Sequence, residues 1–219
     1  MIDWLAEKFH IGGPLVMASI TAVLLLALAI TIERCYRYWI QYDLSNTAGF
    51  MAAIQKMIMN NSIENAIRMC KRARPKLLPY VLSEGLKRAN NSAEEIDNAI
   101  HHASLSVIPK INKLIGILGT LANVATLLGL LGTIFGLMKS FGGAATATGA
   151  QKQTILAEGI SEALTATSYG LSAALFCILM HGLLTMKQQA IVAEIQKNSA
   201  KLTDILFTRS IKIKGYREK

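Results

Sequence analysis

Three long stretches of this sequence contain no aspartate, glutamate, lysine or arginine. They cover residues 9–32, 114–138 and 163–186, so each is 24 or 25 residues long. Because an α-helix rises ~1.5 Å per residue, about 20 predominantly apolar residues are enough to cross a bilayer. Three charge-free stretches of this length are rare in a soluble chain. The sequence therefore predicts an all-α membrane protein with three transmembrane helices.

The composition supports this class and disfavours others. Hydrophobic residues make up 52% of the 219 residues and charged residues 17%, whereas soluble domains carry roughly 25% charged residues. A disordered chain would need lower hydrophobicity and higher charge. The sequence contains no recognisable nucleophile, metal-ligand cluster or phosphate-binding loop. We therefore expect neither an enzyme, nor a metal, nor a cofactor.

The basic residues predict the orientation in the membrane. Of the 23 lysines and arginines, 20 lie between the first two stretches or after the third. The positive-inside rule then predicts a periplasmic N-terminus and a cytoplasmic C-terminus. Arg34 and Trp39 follow the first stretch and are predicted to be anchors at the membrane interface. The net charge of +9 is explained by cytoplasmic flanks that contact lipid, so no nucleic-acid partner is expected.

The chain divides into segments along this topology. A capping box at 92–95 predicts a helix start, as does the sequence at 61–64, and Arg74-Pro75 predicts a helix end. Helices are expected to continue without a break through Pro109 and beyond residue 187, while the Gly-rich sequence at 142–149 predicts a turn. The predicted segments are the N-terminus with transmembrane helix 1 at 1–42, a helical cytoplasmic domain at 43–110, transmembrane helix 2 at 111–140, a periplasmic turn at 141–153, transmembrane helix 3 at 154–186, and a cytoplasmic C-terminal helix and tail at 187–219.

The second and third stretches carry small residues and hydroxyl groups. Small residues let helices approach closely in lipid. Four glycines are predicted to pack helices together: Gly129, Gly132, Gly136 and Gly170. Thr126 and Thr133 are seven residues apart and share a face of the second helix, where they either complete a packing surface or line a water-filled path.

Glu162 lies at the outer end of the third stretch. A carboxylate inside the membrane costs roughly 2.5 kcal/mol or more at its centre and normally faces a cavity or a partner. Alternatively, the span starts at Ala163 and Glu162 is an interfacial charge. Thr165, Thr167 and Ser168 follow it, and each hydroxyl can instead bond back to its own helix.

These stretches carry a family resemblance. The letters LGLLGT at 128–133 and GLM at 136–138 match one signature, and ISEAL at 160–164, AT at 166–167 and GL at 170–171 match a second. Together with PL at 14–15 and ER at 33–34, they resemble the MotA/TolQ/ExbB proton-channel family in its ExbB/TolQ branch. Thr126 and Phe176 stand where the family has prolines, which removes two expected helix kinks.

The resemblance implies an assembly and an ion path. It implies a bacterial inner-membrane ring of five copies around two copies of a single-span ExbD/TolR-like partner. Such a motor couples proton or sodium motive force to mechanical work, here for outer-membrane import or envelope maintenance. Glu162, Thr133, Thr167 and Thr126 are the implied ion-path residues. Two alternatives remain open, which are a non-conducting membrane scaffold and a channel that works without a partner.

Overall fold

The protein is all-α, as its sequence predicts. The computed structural model describes residues 13–42, 46–73 and 76–217, with side chains described up to residue 210. Within this part of the chain every regular element is helical. The elements are α1 (Pro14–Tyr36), a π-helical segment (Arg37–Tyr42), α2 (Thr47–Met59), α3 (Ile63–Arg72), α4 (Leu77–Lys87), α5 (Ala93–Asn112), α6 (Ile115–Thr146) and α7 (Ala150–Arg217).

Three helices are long and apolar enough to cross a membrane by length and composition, and they include α1, α6 and α7. The predicted fold class, an all-α membrane protein with three spanning helices, is therefore confirmed. The longest of them, α7, has 68 residues and extends over about 100 Å. It continues far beyond the charge-free stretch, as predicted for the third transmembrane helix.

The chain forms two compact units. The membrane unit comprises Met1–Arg34 and Leu114–Leu184, and the helical unit comprises Cys35–Lys113 and Thr185–Lys219. The membrane unit therefore contains most of α1, all of α6 and the first half of α7. The helical unit contains α2 to α5 and the second half of α7. The segment boundaries proposed from the sequence remain a prediction, because they depend on where the membrane lies.

The helix predicted to continue through Pro109 is interrupted four residues later. α5 includes Pro109 and ends at Asn112, and Leu114 then adopts a left-handed backbone conformation with φ of 67°. This conformation costs a non-glycine residue roughly 1–2 kcal/mol, so no local sequence preference explains it. The flanking Ile111 and Ile115 are both buried. The packing of these two isoleucines stabilises the helix break at Leu114. The sequence pattern did not predict this break.

The turn between α6 and α7 is shorter than the sequence suggested. α6 continues through the glycines to Thr146, and only residues 147–149 separate the two helices. A Cβ added to Gly143 would lie 3.1 Å from Cγ2 of Ile155, so this glycine admits close packing instead of ending the helix. Gly149, with φ of 55°, supplies the left-handed residue of the short turn.

The helical unit confirms the capping box. The Ser92 hydroxyl accepts a hydrogen bond from the Glu95 backbone N–H at 3.3 Å, and α5 starts at Ala93. α3 begins at Ile63 as predicted, although the Ser62 side chain does not cap it. The predicted helix end at Arg74-Pro75 lies outside the described residues. Five residues of α2 and α3 form part of the core: Met51, Ile54, Ile58, Ala66 and Cys70 are buried.

Two polar contacts complete the helical unit. The Tyr38 hydroxyl donates a hydrogen bond to the Ile111 carbonyl at 2.6 Å, which gives a partner to one of the carbonyls exposed at the end of α5. Arg209 of α7 donates to the side-chain oxygen of Asn61 at 2.7 Å and to that of Asn90 at 3.3 Å. One guanidinium thereby holds the α2–α3 turn and the α4–α5 turn against the same helix.

Candidate functional site

Small residues hold α6 and α7 together in the membrane unit. A Cβ on Gly170 would lie 2.7 Å from the carbonyl oxygen of Ala125, and one on Gly132 would lie 2.5 Å from Cβ of Ala166. A Cβ on Gly136 would lie 3.1 Å from the backbone nitrogen of its neighbour on α7. We call this contact the α6–α7 seam. Any side chain at these positions would push the two helices apart.

Thr167 and Gly129 link the two helices by a hydrogen bond within the seam. The Thr167 hydroxyl donates to the Gly129 carbonyl at 3.0 Å. The α7 backbone lies close to Gly129, since a Cβ added to this glycine would meet Gly170 Cα at 3.3 Å. The close approach that these glycines permit is therefore what brings a side chain of α7 to the backbone of α6. The sequence predicted both residues, but not the bond between them.

Glu162 faces a cation and a helix N-terminus. Its carboxylate lies 3.1 Å from Nζ of Lys139 on α6, and the Glu162 side chain is 18% exposed whereas that of Lys139 is 77% exposed. A Cβ on Gly13, which directly precedes α1, would lie 3.0 Å from Oε1 of Glu162. Both the ammonium group and the N-terminal end of a helix attract negative charge. The carboxylate of α7 thus lies beside Lys139 of α6 and the N-terminal end of α1.

Within the part of the chain whose side chains are described, the hydroxyls of Thr126 and Thr133 form no hydrogen bond to α7. The Thr126 hydroxyl donates to the Ala122 carbonyl at 3.1 Å and the Thr133 hydroxyl to the Leu130 carbonyl at 2.5 Å, both within α6. Thr126 is exposed and Thr133 is half-buried. The structure therefore brings Thr167 into contact with α6 and Glu162 into contact with Lys139, while Thr126 and Thr133 remain on an outward face of α6.

The segment that carries these residues matches a known family. The family model described as the MotA/TolQ/ExbB proton channel family matches residues 73–197, which is more than half of the chain. This chain belongs to the MotA/TolQ/ExbB proton channel family. A biopolymer transport protein, ExbB-like 3 of Synechocystis sp., is 31% identical over 190 residues, covering 84% of this chain and 88% of the relative. The resemblance found in the sequence is thus confirmed.

Membership in this proton channel family, together with three helices of spanning length, makes the chain a multi-pass membrane protein. The family match includes all four residues predicted for the ion path, which are Thr126, Thr133, Glu162 and Thr167. It also includes the seam glycines. The match therefore covers all of α6 and α7 as far as residue 197, and with them the Thr167–Gly129 and Glu162–Lys139 contacts.

The two predicted anchors of this channel-family protein differ in their surroundings. Trp39 is 54% exposed, and Nζ of Lys187 lies 5.7 Å from the centre of its ring. Arg34, in contrast, is buried, and its Nε lies 2.6 Å from Oε2 of Glu33. Arg34 continues the buried face of α1 that includes Ala27, so its guanidinium lies inside the protein, and its role as an anchor at the membrane interface remains a prediction.

A stripe of four hydroxyl residues on α7 was missed as a pattern. Ser161, Thr165, Ser168 and Ser172 are spaced by four, three and four residues, so they share one helix face. Thr165 is half-buried and the three serines are exposed. The Ser168 hydroxyl donates to the Thr165 carbonyl at 2.9 Å and that of Ser172 to the Ser168 carbonyl at 2.8 Å. The spacing alone would have revealed this hydroxyl stripe.

Two further polar residues of the spans were missed for a simpler reason. The charge-free stretches are defined by aspartate, glutamate, lysine and arginine alone, so they include His181 in α7, which is half-buried, and Asn123 in α6, which is exposed. An intramembrane ionisable residue is by default a candidate functional residue. Counting histidine would have found His181.

Proposed function

We propose that this chain is the ion-conducting subunit of an inner-membrane motor that couples proton or sodium motive force to mechanical work. Five copies would form a ring around two copies of a single-span ExbD/TolR-like partner. The work would serve outer-membrane import or envelope maintenance. No enzymatic step, metal or cofactor belongs to this proposal.

The observation that carries the proposal is the exposed hydroxyl stripe of α7. Polar side chains in a spanning helix face a water-filled cavity or another helix, because lipid offers them no hydrogen-bond partner. Within one chain Ser161, Ser168 and Ser172 are exposed. Ser168 and Ser172 already donate within α7, but their oxygens can still accept hydrogen bonds, and water or a neighbouring copy would supply the donors. A ring of copies around an aqueous path supplies both.

The proposed ion path starts at the periplasmic ends of the helices. With the N-terminus in the periplasm, the Glu162–Lys139 ion pair lies at the outer entrance. Ions would pass Thr133 and Thr167 on their way inward, with Thr126 further along α6. Each elementary charge that crosses 100 mV supplies about 2.3 kcal/mol, so a few ions supply enough work to move the partner against the ring.

The seam would serve this mechanism by keeping α6 and α7 together. A path between copies requires that each pair of helices moves as one body when the partner moves. The Thr167–Gly129 hydrogen bond and the close approach at Gly132 and Gly170 favour that behaviour. Thr167 then has two roles, since its hydroxyl holds α6 while its oxygen remains able to accept a hydrogen bond from water.

The test measures composition and ion flux in the same preparation. The complex is purified from native membrane, and native mass spectrometry determines its copy numbers. Proton and sodium flux is then measured in liposomes under an imposed membrane potential. Glu162→Gln is compared with Glu158→Gln, a control that removes an exposed carboxylate one helical turn earlier on α7. Five copies with two of a small single-span protein, and a flux that only Glu162→Gln abolishes, support the proposal.

Other outcomes identify the alternatives. A conducting ring without a partner indicates an independent channel. An assembled complex that never conducts, in which Glu162→Gln and Glu158→Gln behave alike, indicates a membrane scaffold and refutes the ion path. The ion whose gradient drives the flux decides between proton and sodium.

A further inference from the structure

Lys139 is the single charged residue of α6. This helix has 32 residues, from Ile115 to Thr146, and all the others are uncharged. The Lys139 side chain lies beside Glu162 of α7, with 3.1 Å between Nζ and Oε2. A charged side chain close to a membrane span is costly unless it meets a partner or water. The one cation of α6 is thus placed at the carboxylate where the proposed ion path begins.

Close contacts between α6 and α7 lie on both sides of Glu162 along the chain. On one side, a Cβ added to Gly136 would lie 3.1 Å from the backbone nitrogen of the residue after Glu162. On the other side, a Cβ added to Gly159 would overlap that of Ser140, which is buried and directly follows Lys139. The backbone is therefore fixed at both charged residues, and the freedom that remains belongs to their side chains.

The two side chains of this ion pair differ in their freedom to move. The Glu162 side chain is largely buried, and its Oε1 would lie 3.0 Å from a Cβ added to Gly13. The Lys139 side chain is mostly exposed, and a lysine ammonium group is a compact charge on a flexible stem of four carbons. The ammonium group can therefore leave the carboxylate for water and return to it without any movement of the helices.

We infer that Lys139 excludes sodium from Glu162 and thereby makes the entrance of the ion path selective for protons. The inference rests on the proposed function, because it names the residue that decides between the two ions left open there. The ammonium group occupies the place beside the carboxylate that a metal cation would take. A sodium ion that entered would meet a like charge at close range, and this repulsion lowers its occupancy at least about tenfold.

A proton has a route that sodium lacks. It leaves a hydronium ion of the outer water and forms an O–H bond with the Glu162 carboxylate, while the ammonium group of Lys139 turns towards water. The carboxyl group then gives the proton to water on the inner side, so the O–H bond breaks and the ion pair forms again. Sodium needs several oxygen ligands at once, which the ammonium group denies it. Lys139 is therefore a specificity-determining residue that acts through Glu162.

The test measures proton and sodium uptake by liposomes that contain the complete complex, under a potential set by potassium and valinomycin. A pH-sensitive dye in the lumen reports protons, and radioactive sodium reports sodium. Lys139→Gln removes the charge and Lys139→Arg keeps it. Lys152→Gln is the matched control, because it removes an exposed cation near the N-terminal end of α7. Native mass spectrometry confirms that each variant assembles.

The measured quantity is the ratio of sodium flux to proton flux. We expect Lys139→Gln to raise this ratio at least about tenfold, because the carboxylate of Glu162 then faces the outer water without a competing cation. Lys139→Arg and Lys152→Gln are expected to keep the ratio of the wild-type complex. A loss of packing alone would change the size of both fluxes, and it would not be reversed by restoring the charge.

A competition experiment gives a second readout in the same liposomes. Sodium in the outer buffer is replaced by choline at constant ionic strength, and the proton flux is recorded in both buffers. We expect sodium to slow the proton flux through Lys139→Gln, because it then competes for Glu162, and to leave the flux through the wild-type complex unchanged.

Three results overturn the inference. They are a wild-type complex that conducts sodium as readily as protons, an equal ion ratio in Lys139→Gln and Lys152→Gln, and a change in Lys139→Arg as large as that in Lys139→Gln. If Glu162→Gln still abolishes the proton flux in that experiment, only the role of Lys139 fails. If neither ion crosses the membrane through the wild-type complex or any variant, the proposed function fails as well.

Discussion

The Thr167 hydroxyl donates a hydrogen bond to the carbonyl oxygen of Gly129, 38 residues earlier in the chain, at 3.0 Å. The bond exists because Gly129 and Gly170 have no side chains, so the α6 backbone lies against α7. The Thr167 hydroxyl of α7 can therefore reach the Gly129 carbonyl of α6. The close packing of the two helices and the hydrogen bond between them thus depend on the same few atoms.

Removing this bond is expected to weaken the membrane unit modestly. Thr167→Val should cost between about 0.5 and 2 kcal/mol, the range measured for hydrogen bonds between spanning helices, while Thr167→Ser retains the donor. Thr154→Val is the control, because Thr154 donates only to the Ala150 carbonyl of its own helix. Unfolding of the purified protein in mixed micelles with increasing denaturant measures the difference. Equal stability of the two valine variants would contradict the role of the bond.

Filling the seam is expected to separate α6 from α7. In Gly170→Ala the new methyl group would lie 2.7 Å from the Ala125 carbonyl oxygen, and backbone atoms cannot rotate away. We expect a loss of about 1–3 kcal/mol, as for other overpacked contacts. Gly182→Ala is the matched control on the same helix, since its Cβ would meet nothing within 4 Å. The midpoints of unfolding of the two variants, measured in detergent, compare the effects of the two substitutions on stability.

Exchanging the charges of the Glu162–Lys139 ion pair separates stability from conduction. Lys139 is mostly exposed, so Lys139→Gln should change the free energy of unfolding by less than about 1 kcal/mol. Lys139→Glu places two carboxylates side by side, and adding Glu162→Lys restores an opposite-charge pair. We expect the double variant to regain the stability but not the ion flux, because its carboxylate then lies on α6 instead of α7. Recovery of flux would show that only the pairing matters.

Cys70 is expected to resist alkylation in the folded protein. Its burial raises the pKa of the thiol from 9.0 to about 12, so at pH 8 its thiolate fraction is about a thousandfold lower than that of an ordinary thiol. Because the folded-state pKa is the higher one, the resulting stabilisation is complete below pH 9 and is lost as the pH rises towards 12. Iodoacetamide labelling followed by peptide mass spectrometry compares Cys70 with the half-buried Cys35. Equal labelling rates would contradict this prediction.

Arg209 is expected to stabilise the helical unit. Arg209→Ala removes the donors to Asn61, Asn90 and the Ala89 carbonyl, and hydrogen bonds to charged groups contribute about 1.5–3 kcal/mol each at most. We expect a loss of about 1–3 kcal/mol, because water partly replaces the guanidinium at these exposed turns. Lys201→Ala, which removes an exposed cation from the same helix, should change stability little. Hydrogen exchange in the α2–α3 turn distinguishes the two variants.

Local features of the sequence predicted much of this fold. The charge-free stretches indicate spanning helices because transfer of each side chain to lipid depends on that side chain alone. The Ser92–Glu95 capping box could also be predicted from the sequence, since its partners are three residues apart. The family signatures at 128–133 and 160–164 pointed to the proton channel family, which the comparisons confirm.

Only the tertiary structure decided the features that depend on partners distant in the chain. Arg34 lies inside the protein beside Glu33, and α6 continues through its glycines because Ile155 packs there. Leu114 breaks the helix although no local signal requires it. The sequence by itself determined which segments are long and apolar enough to span a membrane and which family the chain belongs to. The tertiary structure decided which hydroxyl and carboxylate meet which neighbour, because those contacts depend on how closely α6 and α7 approach.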